Sequence, residues 1–111
     1  MGGSSMSANI RISDEVKSLL NGDSEIVFAL SKLIADATAQ ALDLDELPCS
    51  LEVSYDPESC EKTFILFTDP VANVPDEIVD RALRNTLKAN AAALNSLDRQ
   101  RDIPLIAISR T

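Results

Sequence analysis

The sequence predicts an α+β fold: a two-layer sandwich in which a small antiparallel or mixed three-stranded sheet packs against two main helices. Three observations lead there. Leu51, Val53 and Tyr55 alternate with Glu52, Ser54 and Asp56, the period-2 pattern of a strand with one wet face. Residues 63–67 are β-branched and aromatic-rich and read as a second, more buried strand. Asp56-Pro57-Glu58-Ser59 lies between them, where Pro fixes φ and Asp and Ser bond nearby backbone. The two strands therefore form an antiparallel hairpin. Apolar residues at helical spacing on both sides of it, and an apolar run near the end, complete the order (β)ααββαβ.

Taken in order, residues 1–5 look like an expression scar before a native start at Met6. Residues 6–23 read as an N-terminal arm and short helix, and residues 24–111 as a single α+β domain. Residues 9–12 alternate polar and apolar, which suits a short edge strand or an extended arm. Ser13 is the expected N-cap, with Asp14 and Glu15 in the first turn. Val16, Leu19 and Leu20 fall at helical spacing, and Gly22 stops the segment.

Residues 24–43 carry the strongest helical pattern, capped by Asp23 or Ser24. Ile26, Leu30, Leu33, Ala37, Ala41 and Leu44 repeat at spacings of three and four, so they are the expected core stripe. Val27, Phe28 and Ile34 widen the arc, which predicts burial on more than one side. The sheet with the N-terminal segment, or a dimer partner, would supply that cover. Asp69-Pro70 ends the second hairpin strand, because Pro cannot continue a central ladder.

Pro75 opens the next helix, with Asp76, Glu77 and Asp80 favourably placed near its N-terminus. Ile78, Val79, Ala82, Leu83, Leu87, Leu94 and Leu97 carry the helical period. Asn90, on or beside that stripe and followed by three alanines, marks a bend or a close contact. Residues 103–108 form the last strand, with Pro104 at an edge or first rung.

Composition narrows the function. The 111 residues carry a net charge of −8, no His and 45% hydrophobic residues, enough apolar material for a small core. Without His there is no imidazole base and no His metal ligand. No Walker-type loop, Gly-x-Gly-x-x-Gly or Cys-x-x-Cys is present. The expectation is a protein that is not an enzyme, with no cofactor and no metal. Cys49 and Cys60 would lie roughly 35 Å apart along extended chain, so both are expected as reduced thiols. No secretory signal or membrane-spanning run is visible, and a cytoplasmic location is expected.

The charge is divided. Residues 1–80 hold sixteen acids and four bases, and residues 81–111 hold two acids and six bases. Glu52, Asp56, Glu58 and Glu61 make the hairpin a candidate acidic partner surface. Arg81, Arg84 and Lys88 share one helical face and, with Arg99 and Arg101, form a candidate basic surface.

Two resemblances bear on this. Asn-Ile-Arg-Ile-Ser-Asp-Glu-Val, residues 9–16, resembles the opening of a ribbon-helix-helix DNA-binding domain, a short strand followed by a capped helix. From about Glu25 onward, the order helix–strand–strand–helix–strand resembles ribosome-binding factor A, a type II KH-like domain. Residues 51–68 are similar to that family's central hairpin. Residues 90–97, followed by Ile103-Pro104-Leu105, are similar to its kinked helix and final strand. The resemblance implies contact with the small ribosomal subunit through basic surface. The family's kink glycine is absent here, with Ala91 to Ala93 in that neighbourhood, and the net charge has the opposite sign.

The leading expectation is a small acidic interaction protein, an adaptor, inhibitor or immunity-type binder. It would act through the acidic hairpin, with an exposed strand edge as a second contact, on a protein with a basic surface. A KH-like RNA- or ribosome-associated factor using the basic helix is the alternative. A dimeric structural subunit, a homodimer built on the alanine-rich helices, is the third. Nucleic acid is disfavoured by the net charge, and no membrane role is expected.

Overall fold

The computed structural model describes residues 10–109. The pentapeptide read as an expression scar, Met6, Asn9 and Arg110 lie outside them. The elements are β1 (Ile10–Ile12), α1 (Asp14–Leu20), a 3-10 turn (Asn21–Asp23), α2 (Ser24–Ala41), β2 (Cys49–Tyr55), β3 (Lys62–Thr68), α3 (Asp76–Ala89), α4 (Ala91–Arg101) and β4 (Leu105–Ser109).

The class is α+β, as expected, but the sheet is four-stranded rather than three-stranded. Its order is β1-β2-β3-β4. β2 and β3 form the expected antiparallel hairpin, from the pair Cys49–Thr68 to the pair Tyr55–Lys62. β4 lies parallel to β3, so α3 and α4 are the crossover that a parallel connection requires. The extra strand is β1, parallel to β2 with Ile10 opposite Cys49. A ribbon-helix-helix opening does not fit that placement, because β1 pairs within its own chain and α1 spans 7 residues. Residues 6–23, set apart from the domain by their pattern, contribute Ile10–Ile12 to the sheet and Val16 and Leu20 to the common core.

The N-terminal signals work largely as written. Ser13 Oγ accepts from Val16 N at 3.2 Å. The residue that ends α1, however, is Asn21 at φ 51°, and no described glycine has positive φ. Asp23 stands at the N-cap of α2 without bonding its backbone. Its carboxylate instead receives Arg101 at 2.6 Å.

The core stripe of α2 departs from expectation. Its buried residues are Val27, Ser31, Ile34, Ala35, Thr38 and Ala39. Ile26 and Leu33, two members of the expected stripe, stay 41% and 49% exposed. The helix has apolar side chains nearly all round, so hydropathy alone does not choose its inner face. The sheet and α3 choose it, and they select the face bearing two buried hydroxyls. At the α2–α3 crossing the Thr38 and Thr86 hydroxyls meet at 3.2 Å. Thr38 also reaches Ile34 O at 2.8 Å and Thr86 reaches Ala82 O at 3.0 Å. Among the described residues, the second side of α2, expected to be covered, leaves Ile26, Phe28 and Leu33 exposed.

The single long helix expected after Pro75 is divided at Asn90. Pro75 is the N-cap of α3 rather than a residue of its first turn. Asn90 leaves the helical region at φ −112°, ψ 19°, and its Nδ2 donates to Thr86 O at 2.9 Å. The same carbonyl accepts Asn90 N at 3.1 Å, so Asn90 bonds the last turn of α3 through both its main chain and its side chain. Phe64, Leu66, Leu51 and Leu105 on the sheet meet Ile34, Ala35, Leu83 and Leu97 from the helices in one core.

Candidate functional site

Among the described residues, the four strands have one face under the helices and one face open. Cys49, Leu51, Phe64, Leu66, Thr68 and Leu105 are buried on the helix side. Strand alternation puts Arg11, Ser50, Glu52, Ser54, Thr63, Ile65, Phe67, Ile106 and Ile108 on the other side.

The register gives that open face its chemistry. Phe67 lies between Ser50 and Ile108, and Ile65 lies between Glu52 and Ile106. The β3–β4 half is therefore an apolar block of two rows, Ile65 with Ile106 and Phe67 with Ile108. Ile106 and Ile108 remain 43% and 42% exposed, while Ile65 and Phe67 are half-buried between their neighbours. The β1–β2 half is polar. Arg11 bridges to Asp69 at 2.8 Å, and Ser50 Oγ donates to Glu52 Oε2 at 3.2 Å.

The four predicted acids divide by role. Glu52 borders the apolar block directly. Asp56 is used inside its own turn: its Oδ1 accepts Glu58 N at 3.0 Å. Its main chain closes the same loop, with Asp56 N donating to Glu61 O and Cys60 N donating to Asp56 O, both at 2.8 Å. The Glu58 N–H, then the Ser59 hydroxyl, hold the Asp56 carboxyl below its usual range. A carboxylate favoured this way tightens the turn at neutral pH, and that contribution is lost as pH falls through the depressed value. Glu58 and Glu61 are exposed and available to a partner.

The five predicted bases are exposed but not equally free. Arg84 pairs with Asp80 at 2.9 Å, one turn earlier on α3. Arg101 pairs with Asp23. Arg81 and Lys88 stand on the outer side of α3, and Arg99 on the last turn of α4. Arg101 thus ties the end of α4 to the start of α2, while the Arg84 pair stays within α3.

At the start of β4 a concavity of about 460 Å³ is lined by Cys60, Glu61, Lys62, Asp98, Asp102 and Pro104. It joins the hairpin turn to the end of α4. Cys60, exposed, and Cys49, buried, are both free thiols. Burial, then the nearby Asp69, pushes the Cys49 thiol up to about 12. Among the described residues, no group of three or more Cys, Asp or Glu is placed to hold a metal ion. No helix of the described residues is long and apolar enough to cross a membrane.

The apolar block is the feature that pattern reading missed. Residues 63–67 and 103–108 alternate apolar with apolar, which in sequence looks the same as burial on both faces. The missing signal was a count of covers: only one layer of helices is available for a sheet with two apolar faces. No family model matches this sequence, and no curated protein or solved structure matches it significantly.

Proposed function

We propose that this chain is a non-enzymatic protein-binding module that receives a partner with a basic surface on the uncovered face of its sheet. One observation carries the reading: Ile65, Phe67, Ile106 and Ile108 form a contiguous block on a face without helices, and Glu52 borders it. Contiguous exposed apolar surface rimmed by polar groups marks contact sites on soluble proteins. The four isoleucine and phenylalanine side chains supply the desolvated centre. Glu52, Glu58 and Glu61 at the rim act mainly on partner choice and association rate. Asp56 serves the turn that presents the two glutamates.

The test is photo-cross-linking in lysate of the native host. A photoreactive residue replaces Ser54, Ile106 or, on the opposite layer, Leu33. The same partner should cross-link from Ser54 and Ile106 and be absent from Leu33. Combined Glu52→Gln, Glu58→Gln and Glu61→Gln should weaken the capture, and by less at higher salt, where screening already reduces the attraction. Cross-links formed only from Leu33 would overturn the proposal.

A second reading rests on the element order from α2 to β4 and the helix interruption at Asn90, both of which the likeness to ribosome-binding factor A implies. It makes the chain an RNA- or ribosome-associated factor using Arg81, Arg84, Lys88, Arg99 and Arg101. It predicts RNA binding that falls steeply with salt and weakens when Arg81, Lys88 and Arg99 become Gln. Absence of RNA binding at low salt would end it.

A further inference from the structure

We infer that the partner reaches the open face as an extended segment, added antiparallel beside β4 as a fifth strand of the sheet. This rests on the protein-binding reading above and specifies how the partner is seated.

β4 is the last strand in the sheet order. Phe64 N donates to Pro104 O at 2.9 Å. The alternation of a parallel ladder then directs the peptide groups of Ile106 and Ile108 toward β3, and those of Leu105, Ala107 and Ser109 outward. Leu105–Ser109 contains no Lys, Glu or Pro, the residues that commonly guard an edge against pairing. A fifth strand would extend the rows Ile65–Ile106 and Phe67–Ile108, so backbone pairing and apolar contact coincide at one place. Peptide capture by strand addition combines these two contributions, with main-chain bonds giving affinity and alternate side chains giving selectivity.

Charge fixes the direction and the chemistry of the occupant. Glu61, Asp98 and Asp102 line the concavity at the start of β4, against one ammonium from Lys62. An antiparallel fifth strand brings its C-terminal end there. The fitting occupant is a segment of another protein with alternating apolar side chains ending in Lys or Arg. Antiparallel pairing is also slightly the more stable per residue.

The probe is the synthetic peptide Thr-Val-Thr-Val-Thr-Val-Lys-Lys, titrated into the full chain while amide hydrogen exchange is followed by NMR. Binding should slow exchange at Leu105, Ala107 and Ser109. The same peptide with Pro at its central Val, or with the two Lys moved to its N-terminus, should bind about tenfold more weakly, or worse. Asp98→Asn with Asp102→Asn should weaken the parent peptide by a similar factor, and Ala107→Pro should abolish its binding. Should Ala107→Pro fail to fold, the Pro-containing peptide on the unaltered chain gives the same comparison. Peptide binding that leaves those three amides unprotected overturns strand addition while the open-face reading stands. Failure of the parent peptide to bind overturns it as well. So does protection of the three amides that grows with protein concentration in the absence of peptide, because the edge would then be taken by a second copy of the chain.

Discussion

The two edges of the sheet are finished in opposite ways. β1 is 3 residues long and carries one charged side chain, Arg11, anchored to Asp69 at 2.8 Å. It leads at once into α1, whose Val16 and Leu20 are buried in the core. β4 is 5 residues long, carries no charge, and leaves Ile106 and Ile108 more than two-fifths exposed. A short, charged strand tied to a helix resists pairing with a stranger, whereas an uncharged strand with free peptide groups invites it. Stability and availability are thus placed at opposite sides of one sheet.

The cysteines report this contrast with the largest expected effect. Cys49 pairs with Ile10 in the ladder of the guarded edge, is fully buried, and donates its thiol to Leu47 O at 3.2 Å. Cys60 lines the concavity at the start of β4. A thiol reagent at pH 8 should modify Cys60 at the rate of an open thiol. Cys49 should react at least about a thousandfold more slowly, through opening of the fold. Comparable rates would mean that the β1 edge opens freely, and the contrast would fail.

Proline substitution comes next. Leu66 lies in central β3, paired with Leu51 on one side and Ala107 on the other. Leu66→Pro removes a ladder donor and a core side chain, and should prevent folding. Ala107→Pro removes a donor that faces outward, and should cost no more than about 1.5 kcal/mol in urea unfolding. An Ala107→Pro chain as damaged as the Leu66→Pro chain would show that the peptide groups of β4 are already in use. Alanine substitutions give a smaller version of the same contrast. Leu20→Ala behind β1 should lose about 2–5 kcal/mol, and Ile106→Ala on β4 should lose about 1 kcal/mol or less.

What the sequence made legible follows from how local each determinant is. The hairpin needed only its own alternation and the Asp56-Pro57 turn. The start of α3 needed Pro75 and its acids, and the break at Asn90 was visible as a polar residue on an apolar stripe. β1 was visible as an extended segment, but three residues cannot specify which strand they join or in which direction. The inner face of α2 was misplaced because Ser31 and Thr38 are buried where Ile26 and Leu33 are not. That exchange depends on the packing of α3 and the sheet. The candidate site was half legible. Glu52, Glu58 and Glu61 stood out as charge, and Asp56 stood out with them although its carboxylate belongs to the turn. Ile65, Phe67, Ile106 and Ile108 became a surface only once register and helix cover were known.

The smallest effect concerns the guard itself. The Arg11 and Asp69 side chains are 60% and 22% exposed, so solvent screens much of their attraction. Arg11→Ala should therefore cost only about 0–1 kcal/mol of global stability, and less still in 1 M salt. Its informative consequence is local. Without the guanidinium, the two-residue difference in length becomes the main remaining distinction between the edges, together with the packing of α1 behind β1. Exchange of the Leu51 amide, which the register turns toward β1, should quicken in Arg11→Ala relative to the parent chain, while Leu105 and Ala107 keep their original rates. If Leu51 stayed as protected as before, α1 rather than the ion pair would be what seals the first edge.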